Sequence, residues 1–337
     1  MRKSKASRMR FCERGFGTVP NVYNMQMYIR STPYTMKRGK NMLRIITDSA
    51  TDLPKDYVNA HHLHVIPTPV VIDDVDYFDG ETIQTKEFYD ILDDMNRSIR
   101  TYHINPEMFE NAFRPYAQAG DTVIYVCFST GIAGTYNAAN IAKSNILEEY
   151  PDFDLTIIDS KCASIGFGLL VSKLVTMLEN GADKKTIIEA ADYFIEHMHI
   201  LFTVRTLNYL IKGGRLSKFS GTIGETLDIK PIITVDKEGK LSVLQKVRGT
   251  KKAYKTIAEM VKADAYDISH QTIAICHGED EQAFETAKRI LEKECGKPGE
   301  YFEAVVGCAI GAHTGRGIVG MCFLDADDGP YAEYFVS

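Results

Sequence analysis

The chain has 337 residues, of which 45% are hydrophobic and 25% are charged, and its formal net charge is −6. This composition is that of a folded globular protein and excludes disordered and fibrous classes. The length favours two domains. No run approaches the roughly 18 uninterrupted apolar residues of a membrane-spanning helix. The seven cysteines show no CxxC or Cys/His spacing, which favours free thiols in the reducing cytoplasm.

The charge is unevenly distributed. Residues 1–42 contain ten Lys/Arg and one acid, whereas the rest of the chain has 29 basic and 44 acidic residues, a net charge of −15. The basic segment fits a transit peptide, a nucleic-acid-binding arm or an extension outside the folded protein. We favour the extension, expected to be disordered, because Met42 directly precedes the first strand-like run. The acidic remainder argues against nucleic-acid binding.

From Leu43 onward, short β-rich runs alternate with helical patterns, which indicates an α/β fold. The strand-like runs "LRIITDSA", "LHVIPTPVVI", "DTVIYVCF" and "DLTIIDS" are separated by helical segments such as "TKEFYDILDD" and "NPEMFENAFRPYAQAG". This pattern predicts an N-terminal α/β domain, residues 43–162, with an open parallel sheet. Ligands of such sheets bind beyond the carboxyl ends of the strands.

Residues 163–337 follow a different pattern. Two helices precede the strand "HILFTV", a short helix ends at Gly213 and Gly214, and "IKPIITVDKEGKLSVLQKV" is typical of a β-hairpin turning at Glu238 and Gly239. Two further helix-strand alternations follow. We predict a C-terminal α/β domain with a mixed or antiparallel sheet.

The stretch "FSTGIAGTYNAA" joins a predicted strand to a predicted helix. Ser129 and Thr130 can donate to an anion, Gly131 and Gly134 allow close approach of the backbone, and the helix N-terminus favours negative charge. An ordinary strand-to-helix turn is the alternative. The stretch is neither a P-loop, a GxGxxG fingerprint nor a GxSxG elbow, which argues against nucleotide and esterase chemistry.

Three more polar segments are candidates for binding. Arg215 in "KGGRLSK" follows a helix end, where it could pair with a carboxylate or simply be solvated. His313 in "AIGAHTGRGIVG" is predicted to lie in a cramped glycine loop, where an imidazole could donate to an oxyanion or be structural. The segment "KVRGTKKAYK", with Arg248, is either a phosphate-binding patch or a solvated helix start.

We predict no metal site and no cofactor. The histidines of "HHLH" lack a carboxylate at ligand spacing, and the acidic "DDVDYFDGE" lacks the order of an EF-hand and is expected to form a hairpin turn. No candidate site has a complete set of nucleophile, base and orienting residue.

Seven motifs in the same order resemble the DegV family of bacterial fatty-acid-binding proteins over about residues 43–325. They are "RIITDSATDLP", "FSTGIAGTYNAA", "IIDSKCASIGFG", "LNYLIKGGRLS", "IKPIITVDKEGKL", "KVRGTKKA" and "GAHTGRGIVG". The resemblance implies a two-domain fold with a long-chain fatty acid buried between the domains. It also implies a cytoplasmic carrier, with only transient membrane contact, that presents the carboxylate to a separate ATP-using fatty acid kinase subunit. The resulting acyl phosphate would serve phospholipid synthesis.

The resemblance also implies roles for single residues. Thr101 and Thr130 fall on the family's two carboxylate-binding hydroxyl positions, and Ser129 lies beside Thr130. His313 falls on the His of the family's "HxGxG" motif. We expect these four residues and Gly131 to bind the fatty-acid carboxylate. Two further positions, Arg215 and Arg248, are expected to position the head group or the partner.

The sequence departs from the family pattern at three places, of which "STG" in place of "SSG" keeps a hydroxyl at both positions. The usual "TSQP" is here "TYHIN", so that Tyr102 and His103 replace Ser and Gln, and Arg316 stands where a small residue or Pro is usual. Two alternatives to the carrier remain. One is an enzyme acting on small acids or phosphates, and the other is a regulatory protein whose lipid is structural.

Overall fold

A computed structural model describes residues 41–94, 96–216 and 228–336. The predicted disordered extension, residues 1–42, lies outside this range except for its last two residues. All of the described residues belong to one compact unit. The predicted domain boundary at residue 162 stays a prediction.

Four parallel strands form the first sheet, in the order β2-β1-β6-β7. They are β1 (Leu43–Asp48), β2 (His64–Ile66), β6 (Thr122–Cys127) and β7 (Leu155–Asp159). Three helices accompany this sheet, namely α1 (Lys55–Ala60), α3 (Pro106–Ala119) and α4 (Thr135–Glu149). Asn105 caps the start of α3, because its side chain accepts a hydrogen bond from the N–H of Met108.

A second, antiparallel sheet of three strands was not predicted. It has the order β4-β3-β5 and consists of β3 (Pro69–Ile72), β4 (Val75–Phe78) and β5 (Ile99–Thr101), with α2 (Thr85–Leu92) beside it. The prediction of a single strand over "LHVIPTPVVI" is therefore wrong, since β2 and β3 belong to different sheets. Pro67 and Pro69 lie at the break, and proline has no N–H for a strand ladder. The acidic hairpin turn is present between β3 and β4.

The third sheet has six strands in the order β10-β9-β8-β13-β11-β12. Its neighbours are antiparallel except β11 and β12, which are parallel. The strands are β8 (Met198–Thr203), β9 (Ile229–Val235), β10 (Leu241–Arg248), β11 (Thr272–His277), β12 (Glu300–Val305) and β13 (Val319–Leu324). A parallel sheet followed by a mixed sheet confirms the predicted fold class.

The remaining helices begin with α5 (Ser164–Glu179), which is buried between the two larger sheets. It packs on β1 and also on β8, β11 and β13, and its residues join strands of both sheets in one hydrophobic core. The others are α6 (Lys184–His197), α7 (Asn208–Lys212), α8 (Thr250–Asp264), α9 (Glu281–Cys295) and α10 (Cys308–Thr314). In the described part of the chain, no helix has the length and apolar character needed to span a bilayer.

The position of His313 corrects one prediction. Instead of a cramped glycine loop, this residue occupies the last turn of α10. Gly315, with φ 73°, ends the helix in the left-handed region. The glycines around His313 suggested a loop, because the helix is short. In addition, the N-terminus of this helix is stabilised by Asp79, which is far away in the sequence.

Candidate functional site

A cavity lies where the loops after the parallel strands meet the six-stranded sheet, α5 and α10. With its mouth it contains about 910 Å³ of space free of protein atoms. Its walls are predominantly aliphatic and aromatic, with Phe128, Ile132, Ile165, Ile200, Phe202 and Leu241 among them. A cavity of this character binds an apolar ligand, and a small number of polar groups then fix its orientation.

Thr101 and His313 form a polar pair in the cavity wall. Nε2 of His313 lies 2.6 Å from the hydroxyl oxygen of Thr101, which joins the end of β5 to the end of α10. Burial, together with the nearby charge of Arg215, lowers the pKa of His313 to about 4. The imidazole is therefore neutral near pH 7, and its Nδ1 is buried without a hydrogen-bond partner among the described residues.

Arg215 also lines the cavity, and it is half-buried. One guanidinium nitrogen donates to the carbonyl oxygen of Gly213 at 2.7 Å. No carboxylate of residues 41–94, 96–216 or 228–336 forms an ion pair with it, although burial lowers the pKa of Arg215 and so penalises the bare cation. A guanidinium carries five N–H donors and stays protonated, so most of its donors are available for an anion that enters the cavity.

The loop of Ser129, Thr130 and Gly131, which was predicted to bind an anion, makes contacts within the protein. Ser129 is fully buried and donates to the carbonyl oxygen of Gly239 at 2.8 Å, in the turn between β9 and β10. A Cβ atom added at Gly131 would lie 2.5 Å from the carbonyl carbon of Gly239. The glycine at position 131 is thus required for contact with the hairpin turn.

Thr130 contacts Asp159 through both its hydroxyl and its N–H, the latter at 3.1 Å. Burial alone would raise the pKa of Asp159, but hydrogen bonds from Lys161 and Thr130 more than compensate and lower it. Ser129, Thr130 and Gly131 are absent from the cavity lining, whereas Thr101, His313 and Arg215 are in it. The carboxylate-binding role of the first three residues stays a prediction.

Arg248 ends β10, opposite Ile229, and is exposed. It does not line the cavity, and its role toward a partner stays a prediction. Neither His61 nor His64 is arranged with its neighbours as a metal site: His61 contacts Glu179, and His64 contacts the hydroxyl of Tyr116. In the described residues, no group of three or more potential ligands could hold a metal ion.

Three buried carboxylates border the cavity region, and sequence reasoning missed them. Asp79 accepts from the N–H groups of Cys308 and Ala309 at 2.9 and 3.1 Å, and Asp52 accepts from the N–H of Gly307 at 2.8 Å. Asp48 lines the cavity, and burial raises its pKa to about 6. Asp52 and Asp79 hold the start of α10 and thereby position His313 at its other end.

Sequence reasoning also missed Thr135 and His103 as cavity-lining residues. The sequence contained indications for both residues. Thr135 begins a helix directly after the glycine loop, and His103 lies two residues after Thr101. Because each was interpreted as part of a secondary-structure pattern or as a departure from a family motif, neither was selected.

Comparison with known proteins places this fold in a family. Residues 42–326 match the DegV family, described as "Uncharacterised protein, DegV family". A DegV domain-containing protein of Clostridium perfringens is 35% identical over 286 residues, covering 83% of this chain and 96% of that protein.

Solved structures of DegV family proteins have a similar fold. A fatty acid binding DegV family protein from Streptococcus agalactiae has a TM-score of 0.74 and 29% identity, covering 85% of this chain and 100% of that one. A stearic acid-binding protein from Eubacterium ventriosum has a TM-score of 0.75 and 27% identity, covering 83% and 97%. The fold, the ordered motifs and the family match lead to one conclusion: the chain belongs to the DegV family.

Proposed function

We propose that this protein binds a long-chain fatty acid in the cavity and presents its carboxylate to a separate, ATP-using fatty acid kinase subunit. The observation that supports fatty-acid binding is the half-buried guanidinium of Arg215, which lacks a carboxylate partner among the described residues and lies in a predominantly apolar wall. A monoanion with a long apolar tail satisfies both features at once.

The acyl chain supplies most of the binding free energy. Each buried CH₂ group contributes about 0.8 kcal/mol, so a C16 chain contributes on the order of 10 kcal/mol before the costs of ordering it are subtracted. The walls formed by Ile165, Ile200 and Phe202 offer such a chain an apolar environment. The relatives from Streptococcus agalactiae and Eubacterium ventriosum support this assignment, since they bind a fatty acid and stearic acid respectively.

The carboxylate requires hydrogen-bond donors, because removing its water is costly otherwise. Arg215 would supply charge, and Thr101 and His313 would supply further polar contacts in the same cavity. A carrier of this kind needs no nucleophile or metal of its own. The kinase subunit would bring ATP to the mouth of the cavity, and exchange of fatty acid would need only transient contact with a membrane.

Native mass spectrometry of the purified protein tests the binding step. We expect a bound component of about the mass of a C16 to C18 fatty acid, removable by delipidation and restored by added palmitate. A protein that neither carries nor takes up palmitate would contradict the proposal. The kinase step is tested separately, by adding an ATP-using fatty acid kinase subunit and radiolabelled ATP to palmitate-loaded protein. If an active kinase forms no acyl phosphate, the proposed kinase step is contradicted, whereas the proposed binding of the fatty acid is not.

A further inference from the structure

Asp52 and Asp79 form a pair of buried carboxyl groups at the start of α10. Only 6% and 5% of their surfaces are exposed. Both approach Gly307, where an added Cβ atom would lie 2.9 Å from Oδ1 of Asp52 and 3.1 Å from Oδ2 of Asp79. Two carboxyl groups that share one buried position repel each other when both are ionised, so one of them tends to keep its proton.

The surroundings of the pair contribute no compensating positive charge. No Lys, Arg or His side chain that the structure describes forms an ion pair with Asp52 or Asp79. The titratable groups that face the pair are all acids, namely Asp48 at the end of β1, Tyr89 of α2, Cys276 of β11 and Cys308 of α10. Burial raises the pKa of Asp52 well above its usual range, and the charges of Asp79 and Asp48 act in the same direction, against the hydrogen bond with Ser164. A proton is therefore held more tightly here than in the unfolded chain.

Asp79 is surrounded by hydrogen-bond donors. Its Oδ1 accepts the N–H of Cys308 at 2.9 Å, and its Oδ2 accepts the N–H of Ala309 at 3.1 Å and the hydroxyl of Ser49 at 3.2 Å. An ionised carboxylate only accepts hydrogen bonds, and both oxygens of Asp79 are used in this way. The pattern of donors is that of the ionised member of the pair.

Asp52 has a different set of partners. Its Oδ1 accepts the N–H of Gly307 at 2.8 Å, and its Oδ2 contacts the hydroxyl of Ser164. A hydroxyl can accept as well as donate, and Sγ of Cys276 lies 3.8 Å from the same hydroxyl as a further partner. A protonated Asp52 can thus donate to Ser164, which donates in turn to Cys276. Ser164 and Cys276 line the cavity.

The backbone supports the contact between Asp52 and Ser164. Both residues lie in the left-handed region, with φ 54° and 52°. A residue with a side chain has a higher free energy there, and the fold nevertheless brings these two side chains together. The contact is therefore a built feature of the junction between β1, α5 and α10.

From this arrangement we infer that Asp52 is protonated beside an ionised Asp79, and that its proton is a pH-sensitive latch that holds the start of α10. When the pH rises far enough, the proton passes from Asp52 to solvent and the pair acquires a second negative charge. Repulsion between the two carboxylates then loosens their contacts with residues 307–309. Because α10 carries His313 of the cavity wall, the latch couples pH to the shape of the cavity. The inference does not rest on the proposed function.

Urea unfolding of wild type, Asp52→Asn and Asp79→Asn tests the assignment of the proton. Asparagine at position 52 keeps an acceptor for Gly307 and a donor for Ser164, and it tolerates a left-handed backbone. We expect the unfolding equilibrium constant of Asp52→Asn at pH 7 to stay within about threefold of wild type or to fall below it. Asp79→Asn should raise this constant at least about fivefold, because it turns an NH₂ group toward a donor.

The pH dependence provides a second readout. The folded state holds the proton of Asp52 more tightly than the unfolded chain, in which an aspartate has a pKa of about 3.9, so unfolding releases a proton and stability falls as the pH rises. Between about pH 6 and pH 8 we expect the unfolding constant of wild type to rise relative to that of Asp52→Asn by up to about tenfold per pH unit. Asp74→Asn is the control, since Asp74 has φ 65° but is exposed, and its pH profile should follow wild type.

Two measurements do not require the variants to be equally stable. Infrared spectra of wild type with isotope-labelled aspartate should show the carbonyl band of a protonated carboxylic acid at neutral pH. Hydrogen exchange of residues 307–309 should speed up with pH more steeply in wild type than in Asp52→Asn. Absence of the infrared band would overturn the inference. Parallel pH profiles of wild type and Asp52→Asn would do so as well, and so would an Asp52→Asn protein that is as unstable as Asp79→Asn or does not fold.

Discussion

The hydroxyl of Thr101 and Nε2 of His313 lie 2.6 Å apart, although 212 positions separate the two residues in the chain. The contact joins the small antiparallel sheet to α10. Because His313 is buried and near Arg215, its pKa lies at about 4, and the pair is uncharged at neutral pH. A neutral pair of this kind can bind a carboxylate without a change of its own protonation.

The low pKa of His313 predicts a pH dependence of stability. In the unfolded chain a histidine has a pKa of about 6.5, so unfolding takes up a proton between pH 6.5 and 4, and stability falls as the pH falls through this window. We expect the advantage of wild type over His313→Gln to shrink by up to about 3 kcal/mol from pH 7 to pH 4. Urea unfolding at four pH values measures it.

Other groups titrate in the same pH window, but their contributions to stability cancel in the difference between wild type and His313→Gln. Burial raises the pKa of Asp48 to about 6, which stabilises the folded state as the pH falls and so acts in the opposite direction. Burial lowers the pKa of His64 to about 4. Both groups are present in wild type and variant alike. A stability difference that does not change with pH would show that His313 is not the neutral, buried group described above.

Arg215→Gln should weaken the binding of palmitate specifically. The guanidinium has no carboxylate partner among the described residues, so its removal breaks one hydrogen bond to the carbonyl oxygen of Gly213 and little else within the protein. We expect the Kd for palmitate to rise about tenfold, and the Kd for hexadecanol to stay near that of wild type. Isothermal titration measures both. Arg289→Gln, on the exposed face of α9, is the control. Equal affinities of Arg215→Gln and wild type for palmitate would exclude contact with the carboxylate.

Local patterns were sufficient for most of the fold, but only for part of the site. The start of α3 could be predicted because the cap residue and the first turn are adjacent in sequence, as Asn105 and Pro106 show. α10 could not, because its first N–H groups are paired with Asp79, some 230 positions away. The glycines of "STGIAG" could be explained in two ways: either a ligand or another part of the backbone approaches this loop closely. Only the structure identifies the neighbour of Gly131 as the hairpin turn at Gly239.

Asp79→Asn should destabilise the protein. Its two carboxylate oxygens accept the N–H groups of Cys308 and Ala309, and an amide can replace only one of them while it turns an NH₂ group toward a donor. We expect a loss of about 1 to 3 kcal/mol in the free energy of unfolding by urea. Asp76→Asn, in the exposed part of the same hairpin, should cost less than about 0.5 kcal/mol. Equal stabilities of the two variants would contradict the role of Asp79 in holding α10.

Gly239→Ala tests whether the turn of the β9–β10 hairpin packs against the loop that contains Ser129. At this glycine φ is 76°, and an added Cβ atom would lie 2.1 Å from the hydroxyl oxygen of Ser129. Gly181 has a similar φ of 89° but no atom within 4 Å of the added Cβ, so Gly181→Ala measures the backbone strain alone. We expect Gly239→Ala to lose at least about 1 kcal/mol more than Gly181→Ala, because overpacking adds to the strain. Since Val235 and Leu241 flank the hairpin turn and line the cavity, only Gly239→Ala should also weaken palmitate binding. Equal losses of stability in the two variants would mean that the turn is not seated on Ser129.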